Sequence, residues 1–98
     1  MNPGDLFNFL GNSGLMNRFQ DMQRTLRQRT FVVPASNGLV SVTFNFQQEV
    51  IDVHIDPSLL DPARAGTLKG SLVEAFNRGI NEARGRMIEE TQRLFSGG

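Results

Sequence analysis

From Val40 to Phe46 the chain alternates apolar and polar residues without a break. Val40, Val42, Phe44 and Phe46 fall on one side, and Ser41, Thr43 and Asn45 on the other. Side chains along a strand point to opposite faces with a period of two, so this segment reads as a strand with one buried face. A second alternating run follows, with Ile51, Val53 and Ile55 set against Asp52 and His54. Upstream, Phe31-Val32-Val33 begins a further strand, which Pro34 is expected to end because proline cannot donate to a ladder. Pro34-Ala35-Ser36-Asn37-Gly38 reads as a hairpin loop in which Asn37-Gly38 supplies positive φ angles. Gln47-Gln48 marks the second turn. Three short strands with one apolar face form an antiparallel meander, which must be covered on that face by helices.

The helices lie on either side. Leu15, Phe19, Met22 and Leu26 recur at i, i+4, i+7 and i+11, predicting a helix from roughly Leu15 to Arg29 with Ser13 as its N-cap. After the strands come two Asp-Pro pairs, Asp56-Pro57 and Asp61-Pro62. Each aspartate can cap a helix start while the proline takes the first helical position, where its missing N–H is not needed. The expectation is a single turn after Pro57 and a long helix from Pro62 to about Phe95. Its apolar stripe runs through Ala65, Leu72, Phe76, Ile80, Ala83, Met87 and Leu94. Gly66, Gly70, Gly79 and Gly85 interrupt it, each unfavourable by about 1 kcal/mol relative to alanine. Close approach of another backbone at Gly79 is the expected compensation. Residues 1–14 read as a lead-in with an apolar cluster (Leu6, Phe7, Phe9, Leu10), 15–95 as a single domain, and 96–98 as a frayed end. The fold class is therefore α+β, with the order α-β-β-β-α.

Ninety-eight residues suit one domain. The absence of cysteine excludes disulfides, thiolate zinc sites and a cysteine nucleophile. One histidine and no tyrosine or tryptophan leave little for acid–base chemistry. Capping accounts for Asp56 and Asp61, and His54 beside Asp52 makes too few ligands for zinc. No glycine spacing matches a phosphate-cradling loop, and the eight phenylalanines fall mostly on core stripes. The chain is expected not to be an enzyme and to need no metal or cofactor. It shows no basic, apolar leader and no run near the roughly 18 apolar residues of a membrane span, so a cytoplasmic location away from the membrane is expected.

Charge is balanced overall, ten basic against ten acidic residues, but it is unevenly placed. Residues 16–33 hold four arginines against one aspartate, while residues 34–62 hold four acids and no lysine or arginine. The helices are thus basic and the sheet acidic. Nine of the ten basic residues are arginine, the type suited to bidentate phosphate contact. Arg18 and Arg29 flank one side of the first helix stripe, and Arg24 and Arg27 the other. Exposed strand edges and the surplus apolar lead-in point to a homodimer.

Three segments carry a resemblance. Gly38-Leu39-Val40-Ser41-Val42-Thr43, then Val53-His54-Ile55-Asp56-Pro57-Ser58-Leu59-Leu60, then Leu72-Val73-Glu74-Ala75-Phe76-Asn77 together resemble the YbaB/EbfC family of bacterial nucleoid-associated proteins. Leu15-Met16, Met22-Gln23 and Ile88-Glu89-Glu90-Thr91 also fit. The resemblance implies an α-β3-α protomer, a homodimer whose helices project like tweezer arms, and duplex DNA binding with weak sequence preference in the nucleoid. On that reading the phosphate-contacting residues are Arg18, Arg24, Arg27 and Arg29, with Arg78, Arg84 and Arg86 in support. The chain departs from the family pattern in a first helix shorter by about one turn, in Phe46 where a glycine is usual, and in having Lys69 as its only lysine. A protein–protein adaptor on the same fold is the alternative, favoured by net neutrality and the acidic sheet.

Overall fold

The computed structural model of the chain describes residues 3–5 and 14–96. The elements are α1 (Leu15–Gln28), β1 (Thr30–Ala35), β2 (Val40–Asn45), β3 (Val50–Ile55) and α2 (Ala65–Phe95). The order is α-β-β-β-α, as expected, and the strands form one antiparallel sheet in the order β1-β2-β3. The lead-in cluster Leu6, Phe7, Phe9 and Leu10 and the terminal Gly97-Gly98 lie outside the described residues. The capping position of α1 falls on Gly14 rather than the expected Ser13; its φ of 75° is a left-handed backbone that glycine adopts without penalty. No helix among the described residues is long and apolar enough to cross a membrane.

Pro34 does not end β1. The strand runs on to Ala35, with Pro34 paired to Ser41. β1 is an edge strand, where the N side of a proline can face the open edge and no ladder bond is lost. The β1–β2 turn takes the expected left-handed backbone at Asn37 and Gly38, and extends it back to Ser36 (φ 51°). The Ser36 hydroxyl hydrogen-bonds the Ser71 hydroxyl of α2, which anchors this strained residue. At the β2–β3 turn Asn45 is buried, against its expected place on the wet face. Its side-chain oxygen accepts from the Gln47 and Glu49 N–H groups (2.9 and 3.0 Å), and its amide donates to Glu49 Oε1 at 2.8 Å. An asparagine whose hydrogen bonds close the turn needs no water.

β3 differs from the expected alternation. A bulge opposite Thr43/Phe44 pairs Phe44 with Val50, so Ile51 becomes the extra residue and drops out of the row with Val53 and Ile55. The two Asp-Pro pairs behave as read. Asp56 Oδ1 accepts from the Ser58 N–H and Asp61 Oδ1 from the Ala63 N–H, both at 2.9 Å. Each opens a single tight turn (Pro57–Leu59 and Pro62–Arg64), so α2 itself starts at Ala65 rather than Pro62.

α2 packs over β2 and β1. Its sheet-facing line is Ser71, Ala75, Gly79 and Ala83, four residues apart, instead of the large-residue stripe expected. Leu68, Leu72 and Phe76 pack from the flank, and Ile80 is exposed. The reason is Phe44, which is fully buried on the central strand. Its ring occupies the space that a side chain at Gly79 would need. The core is completed by Val33, Ala35, Val40, Val42, Leu59 and Ala75. Past Met87, α2 leaves the sheet and runs beside α1 as an arm. The radius of gyration is accordingly 19.1 Å, with extents of 63 × 24 × 16 Å, against about 13 Å for a compact domain of this length.

Gly79→Ala should lower unfolding free energy by about 1–3 kcal/mol, because the new methyl overlaps a ring that has nowhere to go. Gly85 has nothing within 4 Å of an added Cβ, so Gly85→Ala should raise stability by about 0.5–1 kcal/mol. Urea titration of both variants checks the pair; equal effects would refute the assigned contact.

Candidate nucleic-acid interface

The arm is fixed to the sheet by a short aromatic stack and two guanidinium groups. Phe31 stacks on Phe44 with ring centroids 5.6 Å apart and meets Phe46 at 6.0 Å. The Arg86 guanidinium lies 5.5 Å from the Phe31 centroid and 5.2 Å from that of Phe46, while Arg29 lies 4.9 Å from Phe46. A cation over an aromatic face is drawn to the ring's negative quadrupole. The Phe46 N–H also donates to the Leu26 and Arg29 carbonyls (2.8 and 3.2 Å), holding the end of α1 against the second hairpin. Phe46 thus joins sheet, α1 and α2.

Further out, ion pairs close the seam between the helices. Glu90 Oε1 accepts from Arg29 Nη1 at 2.9 Å and from Arg93 Nη1 at 2.6 Å. Thr91 Oγ1 lies 3.9 Å from the Met22 sulfur. Arg18, Asp21, Met22, Glu90 and Arg93 line a cleft of about 240 Å³ along this seam.

The seven arginines singled out in the sequence fall into two groups. Arg29, Arg78 and Arg86 are engaged in the fold: Arg78 donates to the Pro34 carbonyl at 3.0 Å and to Glu74 at 3.3 Å, and Arg86 to Glu82 at 2.8 Å. Arg24 makes only an exposed 3.5 Å pair with Asp21, of the kind that contributes little. Among the described residues, Arg18, Arg27 and Arg84 make no ion pair or hydrogen bond through their side chains. Arg18 lines the seam cleft and Arg29 reaches Glu90 across it, whereas Arg24 and Arg27 do not line it. The residues missed are Glu90 and Arg93. Arg93 at i+3 from Glu90 was legible as a local pair, but Arg29 is 61 residues away.

The remaining candidates are structural. Asp56 and Asp61 cap turns. The backbone N–H of Ser58, and then its hydroxyl, hold the Asp56 carboxyl below its ordinary pKa, with a smaller contribution from His54. Ser41 pairs with His54 across the ladder, and His54 is exposed.

A family model described as the YbaB/EbfC DNA-binding family matches residues 6–98. A nucleoid-associated protein of Chlorobium luteolum is 32% identical over 97 residues, covering 99% of this chain and 84% of that protein. Another from Moorella thermoacetica is 29% identical over 73 residues, or 74% and 70% of the two chains. The crystal structure of an uncharacterized Helicobacter pylori protein superposes with a TM-score of 0.78 at 24% identity, covering 97% of this chain and 98% of that one, and so shares its fold.

The lowered Asp56 pKa has a sign that can be checked. A carboxylate favoured by folding stabilises above its unfolded pKa of about 4, and that stabilisation is lost as pH falls through the folded value. Asp56→Asn keeps the cap without the titration, so its melting temperature should lie slightly below wild type at pH 7. Thermal melts at falling pH should show the gap closing as the pH drops below the ordinary carboxylate range.

Proposed function

We propose that this chain, which belongs to the YbaB/EbfC DNA-binding family, works as a homodimer that holds duplex DNA by its phosphate backbone, with weak sequence preference. The observation that carries this reading is the family match across residues 6–98. Relatives named nucleoid-associated proteins support it, and with it a place in the bacterial nucleoid. The two helices supply the cations: among the described residues Arg18, Arg24, Arg27 and Arg84 have guanidinium groups free or nearly free, while Arg29, Arg78 and Arg86 are already oriented. Contacts of this type position a protein on DNA and carry no sequence information directly, which accords with weak preference.

An uncovered apolar surface supports the dimer. β3 lies at the margin of α2's footprint, so Val50, Ile51 and Val53 are exposed, as are Leu60 in the turn that follows and Val73 on α2. Beside them, Ala65, Leu68, Leu72, Val73 and Phe76 line a groove of about 330 Å³ along the first half of α2. A second copy meeting this face about a twofold axis covers both copies' exposed strands at once. The basic arms then lie on a shared assembly, giving the tweezer arrangement.

Fluorescence anisotropy of a labelled duplex over a salt series, with light scattering on the same samples, tests both parts. Each phosphate contact contributes about 0.9 to the slope of log affinity against log salt. Reversing Arg24 and Arg27 to glutamate should weaken binding to all sequences alike and lower that slope by about 2. An unchanged slope would take the site off the outer face of α1. Val53→Asp with Leu72→Asp should leave a monomer by light scattering. Net neutrality and the acidic stretch 34–62 favour one rival, a protein–protein adaptor. A wild-type dimer that ignores duplex DNA even at low salt would establish that rival.

A further inference from the structure

Glu90 is drawn into the seam between α1 and α2, its side chain only 12% exposed, whereas Glu74 and Glu82 on the same helix stand in solvent. One of its oxygens receives two arginines, Arg29 and Arg93, each through a single terminal nitrogen. A guanidinium has five N–H donors in a rigid fork, so most of each fork is left over. The side chains remain 52% and 59% exposed, and the Arg29 guanidinium also lies over the Phe46 ring. Arg18, with no side-chain partner among the described residues, lines the same cleft. Asp21, also on the lining, pairs with Arg24. Two guanidinium groups thus converge on one inward carboxylate and are held in place before any ligand arrives, while a third, that of Arg18, belongs to the wall of the cleft that Glu90 and Arg93 also line. Holding a long side chain in its bound conformation removes part of the ordering cost of binding.

We propose that this cleft seats a backbone phosphate of duplex DNA between Arg18 and Arg93, with Glu90 as the positioning residue that aims Arg93 and Arg29. The assignment rests on the DNA-binding reading above and moves its centre from the outer face of α1 to the seam. Arg93 becomes a phosphate contact, and an acid becomes necessary for binding an anion.

That last consequence has a sign no bystander role shares. Glu90→Gln removes a negative charge, so if Glu90 merely repelled DNA the variant would bind more tightly. If Glu90 aims the arginines, the variant binds duplex DNA about three- to tenfold more weakly. The measurement is anisotropy of a labelled duplex titrated with full-length protein across a salt series, with thermal melts confirming that the variant folds. Should it not fold, Arg18→Ala with Arg93→Ala, both on exposed side chains, reads the same site; this pair should lower the salt slope by about 2. Glu90→Gln binding as well as or better than wild type, or an unchanged slope in the double variant, overturns the proposal while leaving the family function in place. No binding by wild type at low salt instead removes the DNA-binding reading itself, and the seam site with it.

Discussion

Contact between Phe44 and Gly79 sets the distance between the sheet and its covering helix, and most of the architecture follows from that distance. β2 is the central strand, and Phe44 is its largest fully buried side chain. The helix comes close because it offers Ser71, Ala75, Gly79 and Ala83 on that side. Interiors pack at crystal-like density, so a ring of this size needs matching space on the opposite surface. A glycine within a long helix is unfavourable, but here the lost helix propensity is offset by burying an entire aromatic side chain. From Phe44 the packing continues outward through Phe31 and Phe46 to Arg86 and Arg29. The orientation of the arm is therefore inherited from the core through a continuous series of contacts.

Net neutrality has a structural explanation in this chain. Several acids of the helices stand three or four residues from an arginine and pair with it: Asp21 with Arg24, Glu74 with Arg78, Glu82 with Arg86, Glu90 with Arg93. Such pairs orient the cations more than they stabilise the fold. Among the described residues, Arg18 and Arg27 of α1 make no ion pair, nor do Arg64, Lys69 and Arg84 at and along α2, whereas the sheet and its exit turns carry the acids Glu49, Asp52, Asp56 and Asp61. Total charge governs long-range steering, but contact with a phosphate depends on where individual guanidinium groups stand.

A single helix also explains why one face of the sheet is left open. An α-helix with its side chains is about 10–12 Å wide, and strands lie about 4.8 Å apart. One helix therefore covers two strands well and leaves a third at its margin. β3 takes that place here, and its bulge turns Ile51 out of the row besides. The apolar residues on this uncovered edge strand are the face that the proposed dimer covers, since the outer ladder of β3 is open among the described residues.

Local sequence determined the element order, the meander, the left-handed Asn37-Gly38 turn and both Asp-Pro caps, since each depends on residues within one turn or one strand. The need for close approach at Gly79 was legible too, as a glycine whose helix penalty required a return. Tertiary structure decided the rest. Which line of α2 faces the sheet was set by Phe44, some 35 positions away, and periodicity marks an apolar face without naming its neighbour. Pro34 stayed in β1 because that strand is at the edge, and edge position is a property of the assembled sheet. The bulge in β3 arises from pairing register, which no single strand contains. For the candidate site, the arginines of α1 and α2 follow from the family resemblance. Their division into outward, engaged and seam-lining groups does not, because Glu90 meets Arg29, 61 residues earlier in the chain, only when the two helices are brought side by side.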